Sequence, residues 1–453
     1  ATATSERLAN IAELGHPDQS GSAVGVTRLS TLSTAGTGAM TADPNRVDPA
    51  SPSAMDLPEI LTRLAGRGRP MRIVVTGGGT GGHTYPAVTT IRTTRELLVE
   101  AGIELDVLYV GSVAGLEARI ATQEGLAFAA IPTGKLRRAS NPLKMISPAN
   151  LRDIGRVIQG IVAARRIVRR FRPDAVLSTG GYVAVPVGLT ARSARVPLLV
   201  HEQTTRLGLA NRILAPRADT IALSSVASLP LLSESLRTHA VVTGNPVRPE
   251  LFDGDPTVAV KTLQWTGHDP ALPTVYVTGG AQGSVQINQL LQAVLPRLLA
   301  RANVLHQCGR TSLVAIQEWA GGLPDGLAGR YRVMDFVGAQ LPGVFALADV
   351  VIARSGAGTL AELTALGKPS VLIPLIPSGG REQEHNAGHL AEHHAAYALI
   401  GPQATADALW SHLDRLISDP SRRARMAAAA RQLGHPRAAS ELAKQLLTLC
   451  VPH

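Results

Sequence analysis

Met71-Arg72-Ile73-Val74-Val75-Thr76-Gly77-Gly78-Gly79-Thr80-Gly81-Gly82-His83 decides the fold. An apolar run ends in a glycine-rich turn, and a helical pattern follows from about Pro86 to Ala101. Such a continuous run suits a strand covered by helices on both faces. Glycines at its end let the backbone approach a polar or anionic ligand, while the helix N-terminus adds donors and a positive dipole. Outward from this unit the pattern recurs: LDVLYVGS (105–112), FAAIPTG (128–134), DAVLSTGG (174–181), PLLVHEQ (197–203), TIALSS (220–225) and AVVTGNP (240–246). A basic amphipathic helix is expected from about Asn150 to Arg170. After the turn-rich RPELFDGDPT (248–257) the series restarts with TVYVTGG (274–280), VLHQCG (304–309), YRVMDFV (331–337), VVIARSG (350–356), SVLIPL (370–375) and AAYALIG (395–401). Strands alternating with helices predict an α/β chain of doubly wound parallel sheets. Two such series predict two Rossmann-like domains, 71–247 and 270–431, with a cleft between them. Helices near the C-terminus are expected to close the second domain and, over 432–453, to return to the first.

The 453 residues suffice for two or three domains. No stretch nears the roughly 18 apolar residues of a spanning helix. Two cysteines, Cys308 and Cys450, exclude a disulfide scaffold and a Cys-based zinc site. The net charge of +10 comes from arginine, with lysine only five of the 44 basic residues. A basic surface favours anionic partners. With aromatics at 3% and no basic stretch interleaved with rings, nucleic acid is not expected among them. Residues 1–66 are rich in Ala, Ser, Thr, Gly and Pro and read as a disordered extension with one short helix, Leu57 to Ala65, and not as a secretory signal.

Three loops carry the chemistry. Gly77, Gly79 and Gly82 satisfy the dinucleotide fingerprint, but the next strand ends Tyr109-Val110-Gly111-Ser112 with no acid for a ribose, which weakens an NAD dehydrogenase reading. Thr278-Gly279-Gly280-Ala281-Gln282-Gly283-Ser284 occupies the equivalent place in the second series and reads as a phosphate site. Arg354-Ser355-Gly356-Ala357-Gly358-Thr359-Leu360-Ala361-Glu362 puts an acid in what reads as the first helical turn; its carboxylate either balances the dipole or accepts a diol. The polar stretch from Pro377 to Ala387 follows the next strand, so these loops converge on one site. Gly367-Lys368-Pro369-Ser370 is not a P-loop, since position 362 is Glu. Asp253 and Asp255 read as solvated, and His389, His393 and His394 lack an HExxH arrangement.

The ordered set GGGTGGH (77–83), STGGYVAVPVG (178–188), VHEQ (200–203) with GLANR (208–212), TGNPVR (243–248), TGGAQGS (278–284) and RSGAGTLAEL (354–363) ending in EQEHNA (382–387) resembles the MurG family of glycosyltransferases, from about Met71 onward. The resemblance implies the two-domain GT-B architecture. It implies transfer of N-acetylglucosamine from UDP-GlcNAc to a polyprenyl-pyrophosphoryl acceptor, lipid I giving lipid II, with no metal or other cofactor. It also implies a place on the inner face of the cell membrane. Carried over by motif, Glu362 grips the ribose, Ala357, Gly358, Thr359, Leu360 and Ala361 lie beneath the nucleotide, Val337 lies beside the uracil, and Gln383 addresses the sugar. Ala281, Gln282, Gly283 and Arg248 meet the departing diphosphate. Thr80, Gly81 and Gly82 face the reacting carbon, with Thr204 also on the donor side. Gly180, Gly181, Tyr182 and Glu202 serve the acceptor. His83 is the candidate base, titrating near neutrality, or else a helix-start histidine that orients its loop.

Departures from the family pattern are Thr204 for Asn, Ala281 for Ser, and Gly380-Arg381-Glu382-Gln383 for a DRQQ-type run. A changed sugar or acceptor, as in a paralogue serving a secondary metabolite, is the alternative these raise. A nucleotide-sugar-binding module without catalysis is the non-enzyme alternative. For the bilayer, Leu136, Leu143, Met145 and Ile146 among Lys135, Arg137, Arg138 and Lys144 form the expected contact with acidic lipid. The helix with Ile154, Val157, Ile158, Ile161 and Val168 reads instead as packing on a sheet.

Overall fold

A computed structural model describes residues 55–113, 115–134, 148–378 and 381–451. The expected strands form two wholly parallel sheets. The first contains β1 (Met71–Thr76), β2 (Leu105–Gly111), β3 (Ala127–Ala130), β4 (Ala175–Ser178), β5 (Leu198–Glu202), β6 (Thr220–Leu223) and β7 (Ala240–Val242), in the order β3-β2-β1-β4-β5-β6-β7. The second contains β8 (Thr274–Thr278), β9 (Asn303–Gln307), β10 (Tyr331–Met334), β11 (Val350–Ala353), β12 (Ser370–Leu372) and β13 (Tyr397–Ala398), in the order β10-β9-β8-β11-β12-β13. Strand order reverses at β1/β4 and at β8/β11, where chains leave to opposite sides and open a crevice beyond the strand ends. Every residue of β4, β5, β8, β9 and β11 is buried, as strands covered on both faces must be.

Three boundaries differ from expectation. The first helix runs Gly81–Glu100 with Thr80 as N-cap, so Pro86 lies inside it and Gly81, Gly82 and His83 form its first turn. Proline near a helix start invites a boundary there, but here Pro86 lies in the second turn, where it leaves the Gly82 carbonyl without its intrahelical N–H partner. Glu362 belongs to the second turn of helix Ala357–Leu366, not the first. Helix Leu57–Ala65 is capped by Asp56 and buries Ile60 and Leu64 in the first domain's core. The extension read as disordered over 1–66 is therefore ordered from this helix onward, while 1–54 lie outside the described residues.

Helix Pro420–Leu433 packs on the second domain, and the chain crosses back after Gly434. Helix Ala438–Thr448 then lies along Gly81–Glu100, with Leu442, Leu446 and Leu447 in the first domain's core. Arg67 and Arg69 both bind Asp174, and Arg67 also donates to the Cys450 carbonyl, tying the segment before β1 and the C-terminal helix to this sheet. The other crossing, 248–253, belongs to the second domain by packing: Val247 and Leu251 join the core of Val344, Phe345 and Leu360. Its Glu250 reaches the first domain, 2.9 Å from Arg92, whose guanidinium also grips Glu124 through two bonds of 2.6 Å.

Candidate active site

The first-domain site lies at the β1/β4 switch point. The Gly78 amide donates to the Gly180 carbonyl at 3.2 Å, and the Gly79 amide donates to Glu117 Oε2 at 3.3 Å. Glu117 also accepts from the Ser112 amide (3.0 Å) and hydroxyl (2.5 Å). Burial pushes this carboxyl up, but the Ser112 hydroxyl and the loop amides outweigh burial and hold it below the usual range. A carboxylate beneath the turn, with two amides already engaged, opposes a phosphate at Gly77–Thr80. The position after β2 where a dinucleotide fold would hold a ribose acid is Ser112, bound to Glu117. Glycine is required opposite: a Cβ on Gly181 would stand 2.2 Å from the Gly78 carbonyl oxygen.

His83 sits in the first helical turn, its Nδ1 2.9 Å from Thr80 Oγ1. The Thr179 hydroxyl donates to the His83 carbonyl at 2.7 Å, which locks the helix start to the β4 loop. Burial lowers the His83 pKa, against opposing pulls from Glu202, the Gly78 backbone and Glu117. The helix N-terminus further disfavours an imidazolium. A neutral imidazole at pH 7 is the result.

The VHEQ segment holds loops in place. Neutral His201, its pKa lowered by burial to about 4, pairs with the Gly244 carbonyl at 3.1 Å, and the Gln203 amide lies 3.0 Å from its Nδ1. Gln203 also donates to the Thr179 carbonyl at 2.9 Å. Glu202 accepts from the Thr204 amide and hydroxyl, the Gly208 amide and Asn211 Nδ2, at 2.7–3.0 Å. Glu202, expected to bind acceptor, is thus engaged in folding its own loop. Thr204, expected on the donor side, lies in the same first-domain loop. Tyr182 lines a cavity of about 540 Å³ with Ser112, Thr133, Arg156 and Gln159.

In the second domain the turn after β8 leaves Gly280, Ala281 and Gln282 exposed, and no atom stands within 4 Å of a Cβ placed on Gly280. Ser284 caps helix Val285–Leu299. Beside it, helix Ala357–Leu366 starts at Gly356 without a side-chain cap, and Gly356 and Gly358 face open space. Two helix N-termini meeting at one switch point form a site for an anionic ligand. Glu362 pairs with Arg248 at 2.8 Å. Burial raises its pKa and Arg248 pulls it back.

Several residues that the sequence reading did not single out brace this site. Gln307 donates to Thr278 Oγ1 and the Gly280 carbonyl, and accepts the Val337 amide at 2.9 Å. Arg354 donates to Ser284, Gln286 and the carbonyls of Ile373 and Pro374. Gln383 accepts the Leu375 amide at 2.9 Å through Oε1. Burial and then Glu202 raise the Glu382 pKa. Among the described residues no group of three His, Cys, Asp or Glu is placed to hold a metal, and His389 with His393 finds no third ligand. The loop of Leu136, Leu143, Met145 and Ile146 lies outside the described residues, as do the flanking Lys135, Arg137, Arg138 and Lys144.

Two Rossmann-like domains whose switch points open on one cleft define the GT-B class. The chain belongs to glycosyltransferase family 28, matching its N-terminal domain over residues 73–223 and its C-terminal domain over 274–442. It is 34% identical over 379 residues to the UDP-N-acetylglucosamine--N-acetylmuramyl-(pentapeptide) pyrophosphoryl-undecaprenol N-acetylglucosamine transferase of Listeria welshimeri, spanning 83% of this chain and 99% of that one. The enzyme of the same name from Exiguobacterium sibiricum is 36% identical over 382 residues, spanning 84% and 99%. Among solved structures, Acinetobacter baumannii MurG superposes with a TM-score of 0.62 at 25% identity, covering 83% of this chain and 99% of that one. A kitacinnamycin glycotransferase shares the fold at 18% identity and a TM-score of 0.59, covering 83% and 100%.

Proposed function

We propose that this enzyme transfers N-acetylglucosamine from UDP-GlcNAc to a polyprenyl-pyrophosphoryl-linked sugar, with inversion, at the inner face of the cell membrane. The observation that carries the donor assignment is the pair of helix N-termini at the β8/β11 switch point, one capped by Ser284 and the other without a side-chain cap, with Glu362 beside them. The relatives' names, over nearly their whole length, supply the sugar and acceptor. The exposed turn of Ala281, Gln282 and Gly283 and the start of helix Ala357–Leu366 receive the diphosphate. Glu362 takes the ribose hydroxyls, Gln307 steadies Val337 beside the base, and Gln383 presents its Nε2 to the sugar.

In the reaction the acceptor hydroxyl attacks the anomeric carbon, the C1–O bond to the diphosphate breaks with its electron pair on UDP, and His83 takes the hydroxyl proton. In the tautomer whose Nδ1–H donates to Thr80 Oγ1, Nε2 is the nitrogen that takes the proton. Amide donors fixed at the diphosphate site stabilise the leaving charge without a metal. The Gly180–Gly181–Tyr182 loop holds the acceptor, and Glu202 keeps the neighbouring loop in shape.

Bilayer contact is supported by helix Pro148–Phe171, which packs by Ala164 and Val168 yet exposes Ile158 (58%), Val162 (44%), Arg165, Arg166 and Arg169. Exposed aliphatic side chains in mid-helix with arginines on the following turns suit anionic lipid.

The test is transfer from UDP-GlcNAc to a short-chain lipid I analogue in EDTA, read by mass. One added N-acetylhexosamine is expected. No product while UDP still binds would contradict the acceptor or sugar assignment and point to Glu382, a carboxylate in the donor pocket, as the residue that redirects specificity.

A further inference from the structure

The Arg248–Glu362 pair carries an inference beyond the assignment of Glu362 to the ribose, on which it rests. Arg248 is placed by its neighbours: Val247 and Leu251 are buried in the second domain's core, so the guanidinium has a fixed origin relative to helix Ala357–Leu366. Its Nη2 donates to Glu362 Oε1 at 2.8 Å, and no other donor among the described residues reaches that carboxylate. The Glu362 side chain is 21% exposed and that of Arg248 33%. The pair is thus partly exposed, with one carboxylate oxygen held by Arg248 and the other making no hydrogen bond among the described residues.

We propose that Arg248 is a positioning residue for nucleoside recognition: it holds Oε1 of Glu362 so that Oε2 meets the vicinal hydroxyls of a ribose in one orientation. A carboxylate without this partner would rotate about its last torsion and, in a partly buried site, take up a proton and lose half its acceptor capacity. This role differs from neutralising the departing diphosphate, for which the remaining N–H donors of the same guanidinium would have to reach the phosphates.

Binding of UDP, 2′-deoxy-UDP and uridine to the full chain separates the two roles. Uridine is followed by competition with labelled UDP. Wild type is expected to prefer UDP over 2′-deoxy-UDP by about tenfold or more, the scale of a hydrogen bond to a charged group. Glu362→Gln should bring that ratio close to one. Arg248→Gln should also collapse it and weaken uridine by the same factor as UDP, while Arg248→Lys restores part of the preference. If Arg248→Gln does not fold, the lysine variant alone decides, with an intermediate ratio expected. Weakened UDP with uridine and the deoxy ratio unchanged would overturn the proposal and place Arg248 on the phosphates; no change with any ligand would also overturn it. An unchanged ratio in Glu362→Gln would instead overturn the ribose assignment itself.

Discussion

The two glycine loops have the same sequence grammar, strand then glycines then helix, and the structure gives them opposite electrostatic characters. At Gly77–Thr80 the amides of Gly78 and Gly79 already donate inward, one of them to the buried Glu117 carboxylate. At Gly280–Ser284 the Gly280 and Gly283 amides close the turn on itself, onto Thr278 Oγ1 and the Gly280 carbonyl, Gly280, Ala281 and Gln282 are exposed, and among the described residues no carboxylate bonds the turn. The first loop is a shaped, negatively backed wall that excludes phosphate and positions His83. The second is the turn assigned above to the donor diphosphate. A glycine-rich turn therefore reports a close backbone approach, and only the partners of its amides tell whether the approaching group is a ligand or another loop.

The sharpest way to break this comparison is to remove its reacting group. His83→Ala should lower kcat by about 10²–10⁴-fold, the usual worth of a general base, with UDP affinity unchanged; steady-state and binding measurements together check this. Unchanged kcat would reduce His83 to a loop-orienting residue. In the wild type the acid limb of kcat/KM should lie below the ordinary histidine value of 6.5, because burial lowers the His83 pKa and the base works when neutral.

Next in size, Glu117→Gln should cost about 1–3 kcal/mol of stability, read as a lower urea midpoint, since Gln accepts at one oxygen where the carboxylate serves three donors. If the wall account holds, this variant loses kcat while UDP affinity stays unchanged. Gly280→Ala is the smallest change, with φ at +85° in open space. It should weaken UDP binding by an amount matching about 1–2 kcal/mol of backbone strain and leave the first domain's acceptor affinity alone.

A stability measurement sharpens the role of VHEQ. His201 is neutral in the fold with a pKa near 4, against 6.5 unfolded. Its depressed value makes its contribution fully present above about pH 6.5 and lost as pH falls towards 4, because the unfolded chain binds the proton first. The thermal midpoint should fall across that window, and His201→Gln should flatten part of the slope.

Both sheets were legible because every strand is a short apolar run, and runs at this spacing with helices between them have few other packings. The helix start at Gly81 was masked by Pro86, whose local preference pointed five residues too far on. Leu57–Ala65 was visible as a helix, but its burial was not, since its partners include the C-terminal helix Ala438–Thr448 far along the chain. The loops of the site could be read from their glycines. Glu117 and Gln307 could not: each is an isolated polar residue whose meaning lies in backbone groups brought near by the fold, and Arg354, quoted with its loop, had no role legible there. Glu202 and Thr204 stood in a recognisable motif, but the bonds by which Glu202 shapes its loop were not legible there, because their donors are backbone amides and Asn211.

The central claim is that the donor diphosphate meets the second-domain amides and not the first. Amide hydrogen exchange with and without UDP tests it most directly. Protection of 280–284 and 357–361, with 77–80 unchanged, is the predicted result. Protection at 77–80 without protection at 280–284 would contradict it.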